Sequence, residues 1–139
     1  MRCCLKIKTQ IILVMHGNLG QGMVEAASRF IHDANQYVTV VSLKDDMSLL
    51  QLKDEFEQII LKSDCPVLVM TDVLAGSCTV AITQMMKKYN FSLITGTNLS
   101  MLLAAIENCT VLELSDLEKD LESIAKDDIK LINRIVVGK

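Results

Sequence analysis

The 139-residue sequence has no Trp, two Tyr and three Phe. It therefore offers few aromatic faces on which nucleic-acid bases could stack. Basic charge is not in excess either: 14 Lys plus Arg stand against 17 Asp plus Glu, for a net charge of −3. Bulk nucleic-acid binding needs a basic surface that displaces counterions, so no nucleic-acid partner is expected. One Pro and six Gly are too few for a fibrous or disordered chain. The five cysteines, at positions 3, 4, 65, 78 and 109, are odd in number and form no C-x-x-C pair. A disulfide framework and a zinc finger are not expected, and a reducing cytoplasm fits this usage. No uncharged run approaches the roughly 20 apolar residues of a membrane span. The apolar run Ile11–Met15 is short for the core of a signal peptide, which needs about 7–15 residues. A single cytoplasmic domain over residues 1–139 is the expectation.

Half of the residues are apolar, enough for a real core. They fall into runs that alternate with helical patterns. Ile11–Met15 is continuous and β-branched at its start, as in a strand buried on both faces of a parallel sheet. It ends at His16, and the glycines at 17, 20 and 22 predict a loop. Met23, Ala26, Ala27, Phe30 and Ile31 then recur at helical spacing. Tyr37–Leu43 reads as a second strand. Ser48 and Gln51 have capping-box spacing ahead of a helix whose buried face is Leu49, Leu52, Phe56, Ile59 and Ile60. Pro66–Thr71 is a third strand, followed by a loop to Ser77 and a helix over Thr79–Tyr89. Phe91–Thr95 is a fourth strand, and Asn98 caps a helix over Leu99–Glu107. Ser115 and Glu118 repeat the capping-box spacing before a helix to Lys126. Ile129–Val137 reads as an edge strand. Repeated strand–helix alternation predicts an α/β domain, a mostly parallel, doubly wound sheet flanked by helices.

In such sheets the working site lies beyond the carboxyl ends of the strands. Two loops qualify, His16–Gly22 and Asp72–Ser77. His16 is either a nucleophilic imidazole or a plain capping or loop histidine. Asp72 either faces His16 and fixes its tautomer, if strands one and three are neighbours, or caps local amides. Gly76 and Ser77 open a helix whose free amides can hold a phosphoryl group, or Ser77 is an ordinary cap. No Walker loop and no dinucleotide G-x-G-x-x-G order occurs. His32 reads as a solvated residue in mid-helix, Asp45–Asp46 as a solvated turn, and Met85, Met86 and Met101 as core.

Three segments together resemble the IIA component of the mannose family of the bacterial phosphoenolpyruvate-dependent sugar phosphotransferase system. They are Ile11–Gly17 (IILVMHG), Leu68–Ser77 (LVMTDVLAGS) and Ile94–Leu103 (ITGTNLSMLL). The resemblance implies that His16 takes a phosphoryl group from the phosphocarrier protein HPr and passes it to a IIB component. It implies that Asp72 orients His16 and that Ser77, with Gly76 and Gly17, helps hold the phosphoryl group. It implies no metal and no cofactor, and contact with the membrane only through a IIC/IID permease. It also implies a homodimer in which a C-terminal edge strand, here Ile129–Val137, is exchanged between subunits. The family's Gly-Gly-Ser-Pro is here Ala75-Gly76-Ser77-Cys78, and Met15 precedes the histidine. Ala75 fits only where φ is negative. Cys78 reads as an inert replacement for Pro; the alternative is a redox-sensitive thiol, since helix starts lower thiol pKa. Two other readings share the fold: a regulatory IIA-like domain, and the phosphotransfer subunit of dihydroxyacetone kinase. A receiver domain phosphorylated on Asp72 lacks its acidic pair after strand one, where His16-Gly17 stands.

Overall fold

The computed structural model describes residues 6–137; Cys3 and Cys4 lie outside the described residues. Four strands form the sheet: β1 (Gln10–His16), β2 (Val38–Leu43), β3 (Val67–Thr71) and β4 (Ser92–Ile94). Their order is β2-β1-β3-β4, and every pairing is parallel. The helices are α1 (Leu19–Ala27), α2 (Leu49–Leu61), α3 (Ser77–Met85), α4 (Leu99–Asn108), α5 (Leu114–Asp127) and α6 (Ile132–Val136). The expected doubly wound α/β architecture is present.

Sequence pattern explains the layering. β1 is fully buried from Ile11 to Met15, and alternate side chains enter opposite cores. Ile11, Leu13 and Met15 join Leu68 and Met70 beneath α1, α4 and α5. Ile12 and Val14 join Val67 and Val69 beneath α2 and α3. Right-handed crossovers produce this division. The chain winds outward from β1 to β2, then crosses back to β3 on the other side of β1, so α2 falls on the opposite face from α1. The reversal makes the gap between the carboxyl ends of β1 and β3 the switch point of the sheet.

The capping box at α2 forms as expected: the Gln51 amide donates to Ser48 Oγ at 3.1 Å, and the Ser48 amide to Gln51 Oε1 at 2.8 Å. Asn98 caps α4 by accepting from the Met101 amide at 2.9 Å.

Other expectations are corrected. Gly20 and Gly22 lie inside α1, not in a loop. A Cβ on Gly20 would sit 2.6 Å from Val40 Cγ1, so this glycine lets α1 pack directly on the sheet. Because α1 starts and ends early, Phe30 falls past its last turn and is exposed, and His32 lies in a turn beside Asp33. α3 begins at Ser77, two residues before the expected start. Glu113, not Ser115, is the N-cap of α5, and Ser115 lies inside the first turn. Glu118 then accepts from the Ser92 hydroxyl of β4 instead of closing a capping box. Met101 is core as expected, while Met86 is exposed.

The edge strand expected over Ile129–Val137 is not part of this chain's sheet. Ile132–Val136 forms the short helix α6, and Ile129, Leu131, Ile132, Ile135 and Val136 are exposed. With no strand beside it, the segment meets part of its backbone hydrogen bonding through local helical turns.

Phe56 is fully buried and meets Phe91 edge to face, with ring centroids 5.3 Å apart. Phe56→Ala removes that contact and leaves a void under α2, so stability should fall by about 3–5 kcal/mol. A urea denaturation midpoint compared with the native chain checks this.

Candidate functional site

The parallel register aligns Val14 of β1 with Thr71 of β3. Two residues beyond Val14 stands His16, and one beyond Thr71 stands Asp72. Asp72 Oδ2 accepts from the His16 backbone amide at 2.9 Å and lies 2.7 Å from His16 Nδ1. Asp72 Oδ1 accepts from the Val73 amide at 2.9 Å. Both sequence readings of Asp72 therefore hold at once: it faces the histidine and it caps local amides. Its side chain is 6% exposed, whereas that of His16 is 46% exposed.

Burial alone would raise the Asp72 carboxyl above its ordinary pKa. The bonds from the His16 amide, the His16 ring and the Val73 amide outweigh that burial and hold it below the usual range. The carboxylate is thus ionised and accepts only. A proton on Nδ1 satisfies it, which leaves the lone pair on Nε2, the other ring nitrogen.

Two glycines fit backbone to this corner. Gly17 has φ +54°, and its amide donates to the Leu43 carbonyl at 2.8 Å, tying the end of β1 to β2. A Cβ on Gly76 would lie 3.2 Å from His16 Cε1 and 3.2 Å from the Val73 carbonyl oxygen. Gly76, the N-cap of α3, therefore stands directly against the imidazole. Ser77 is the first residue of α3 and is exposed, so it is not the cap. The first-turn amides of a helix have no intrahelical acceptor, and those of α3 begin beside the ring. Ala75 avoids the left-handed region, as its replacement of Gly requires.

Threonines that the sequence reading did not single out hold the loop. The Thr79 hydroxyl lies 2.6 Å from the Val73 carbonyl oxygen, 2.8 Å from the Thr71 hydroxyl and 3.3 Å from that of Thr95. The hydroxyl and amide of Thr97 both donate to the Thr71 carbonyl, at 2.8 and 3.2 Å. The available signal was a Thr at a strand end and another in the first turn of the following helix.

At Cys78 burial outweighs the effect of the helix start. It is fully buried, and burial, reinforced by the Asp72 charge, pushes its thiol up to about 11. It is not an acidic thiol. Its Sγ lies 3.7 Å from His16 Nδ1. Donor atoms of His16, Asp72 and Cys78 all fall within 4.8 Å of one another.

The lowered Asp72 pKa has a pH consequence. The unfolded state binds its proton more tightly, so the stabilisation is complete above the unfolded value of about 3.9 and is lost as pH falls through the folded one. The native chain should be more stable than Asp72→Asn at pH 7. That gap in Tm should close as the pH is lowered below about 4, which thermal melts across pH will check.

The sequence from residue 10 to 125 matches the family model described as "PTS system fructose IIA component". No curated protein matches the chain. Among solved structures, it is similar to phosphotransferase system component EIIA from Streptococcus agalactiae, with a TM-score of 0.82, 23% identity, and coverage of 90% of this chain and 98% of that one. It is similar also to the mannose/sorbose specific IIA subunit from Enterococcus faecalis, with a TM-score of 0.81, 20% identity, and coverage of 89% and 94%. A sigma-54 interaction domain protein from Enterococcus faecalis has the same fold, with a TM-score of 0.73, 17% identity, and coverage of 94% and 97%. At these identities the structures establish the fold, and the family match carries the rest: the chain belongs to the IIA components of the phosphotransferase system.

Proposed function

We propose that the chain is a phosphoryl carrier that accepts a phosphoryl group from the phosphohistidine of HPr on His16 Nε2 and passes it to a IIB component. The observation that carries this reading is the 2.7 Å contact between His16 Nδ1 and the buried Asp72 carboxylate, on a ring that stays accessible to a partner.

The chemistry follows from that contact. Nε2 attacks phosphorus, the N–P bond of the donor breaks, and the donor imidazole leaves with its electron pair. The His16 ring, with its proton retained on Nδ1, becomes cationic, and Asp72 is placed to stabilise that charge. The onward step reverses these roles: the bond from Nε2 to phosphorus breaks and a nucleophile on the IIB component takes the group. Gly76, Ser77 and the free amides of α3 are the proposed cradle for the phosphoryl oxygens, as at other helix N-termini. Gly17 sets the backbone turn after the histidine. Positioning and charge stabilisation suffice, so the reading calls for no cofactor.

Val73 and Leu74, directly after Asp72, and Leu19 at the start of α1 are exposed apolar residues. They support transient docking of two partners in turn at this edge. The expected homodimer is kept in the proposal, supported by the exposed apolar side chains at residues 129–137. No helix among the described residues is long and apolar enough to cross a membrane. A cytoplasmic carrier serving the membrane through a IIC/IID permease is the proposed setting. The regulatory alternative is marked by the fold shared with a sigma-54 interaction domain protein. It predicts that phosphate persists on His16 when a IIB component is supplied.

Incubation with phosphoenolpyruvate, enzyme I and HPr should add one acid-labile phosphoryl group, read by intact mass. His16→Ala should add none while keeping its circular dichroism spectrum; retained phosphate would move the site elsewhere. Asp72→Asn should slow acceptance by about 100-fold or more, the scale at which a held proton on a catalytic imidazole matters. An unchanged rate would reduce Asp72 to a structural cap. Gly76→Ala should slow transfer with little loss of stability, because the added methyl pushes on the ring.

A further inference from the structure

We propose that His16, Asp72 and Cys78 form a binding site for a zinc ion, and that an ion held there switches off phosphoryl acceptance at His16. The first half stands on the geometry alone; the second rests on the proposed carrier function.

The three side chains offer one nitrogen, one carboxylate oxygen and one sulfur, with all three donor atoms within 4.8 Å of one another. Such a set suits zinc, which takes imidazole, carboxylate and thiolate together in tetrahedral geometry. Magnesium and calcium require all-oxygen shells and find none here. Zinc bonds of about 2.0–2.1 Å to N and O and about 2.3 Å to S give tetrahedral edges of about 3.3 Å for N···O and about 3.5 Å for N···S. The structure has 2.7 Å from His16 Nδ1 to Asp72 Oδ2 and 3.7 Å from Nδ1 to Cys78 Sγ. The first edge must widen by roughly half an ångström and the second is nearly in place. No side chain on Gly76 blocks that swing of the ring. The His16 ring is 46% exposed and covers the buried Asp72 and Cys78, so the ion enters as the ring swings outward, and solvent supplies the fourth ligand. One zinc ion, one thiolate and one carboxylate are together neutral, so the filled site buries no net charge.

The proton balance supplies the switch. Binding displaces the Cys78 thiol proton to solvent, because a coordinating thiol is deprotonated. The Nδ1 lone pair goes to the metal, so the neutral ring must carry its one proton on Nε2. A protonated Nε2 has no lone pair with which to attack phosphorus. One proton is released per ion bound, and no oxidant or reductant takes part. Cys78 gives this chain a ligand where the resembling family pattern has Pro, which has none to offer.

Cobalt(II) is the probe for the metal half, in full-length chain carrying Cys3→Ser and Cys4→Ser. A sulfur-to-cobalt ultraviolet band should rise to one equivalent, fall on addition of zinc, and vanish when Cys78→Ser is added. Asp72→Asn should keep the band but weaken binding tenfold or more. No band, or a band indifferent to Cys78→Ser in a variant with native circular dichroism, overturns the site. For the second half, isolated phospho-HPr is mixed with the chain with and without zinc. Acceptance should fall with zinc, recover with chelator, and lose its zinc sensitivity in Cys78→Ser. A cobalt band with zinc-insensitive acceptance overturns the switch. A cobalt band with no acceptance under any condition overturns the carrier reading and leaves the metal site standing.

Discussion

A single carboxylate ties together the ends of two adjacent parallel strands, and most of the site's geometry depends on that tie. Asp72 Oδ2 takes both the amide and the ring nitrogen of His16, while Oδ1 takes the amide of Val73. These three donors compensate its burial. The contact exists because the chain reverses its winding between β2 and β3, which sets β3 beside β1 with their carboxyl ends level. The sheet order is thus a chemical fact as much as an architectural one. In an order that left β1 and β3 apart, the same residues would be a loop histidine and a local cap.

Around that tie the protein uses few parts. The apolar alternation along β1 and β3 clamps the strands between two cores, so their ends have little freedom. Threonine hydroxyls fix the loop from Asp72 to Gly76 through the Val73 carbonyl oxygen. Glycines sit where backbone must turn left-handed or approach the ring closely. Rigidity of this kind suits the proposed carrier, whose histidine would meet two partners in sequence without rearranging for either.

Much of the fold was legible because periodicity is a strong signal in this chain. The buried runs at Ile11–Met15 and Val67–Met70, the Ser48–Gln51 capping box and the Asn98 cap all have a local physical cause. His16 and Asp72 were legible by position at strand ends, although their contact awaited the strand order. What failed depended on non-local information. The glycines at 20 and 22 carry a loop signal, yet packing of α1 on Val40 overrode it. Ser115 and Glu118 have the right spacing, but α5 starts ahead of Ser115 and Glu118 is taken by the Ser92 hydroxyl of β4. Ile129–Val137 has strand-like composition and no strand beside it. The acidic-thiol alternative for Cys78 fails because a helix N-terminus favours thiolate only when the sulfur stays hydrated, and this one is buried behind His16 and Asp72.

The backbone bond from residue 16 to Asp72 has a consequence for the protein's history. That bond, and the one from Val73, come from main-chain amides and would survive any side chain at position 16 except proline, which has no N–H. A descendant that exchanged the histidine for another residue would keep the strand ends joined and the loop in place. The carboxylate would still be worth retaining as a scaffold without the histidine. Lineages that lose the histidine can therefore keep this corner intact, with the aspartate outlasting it.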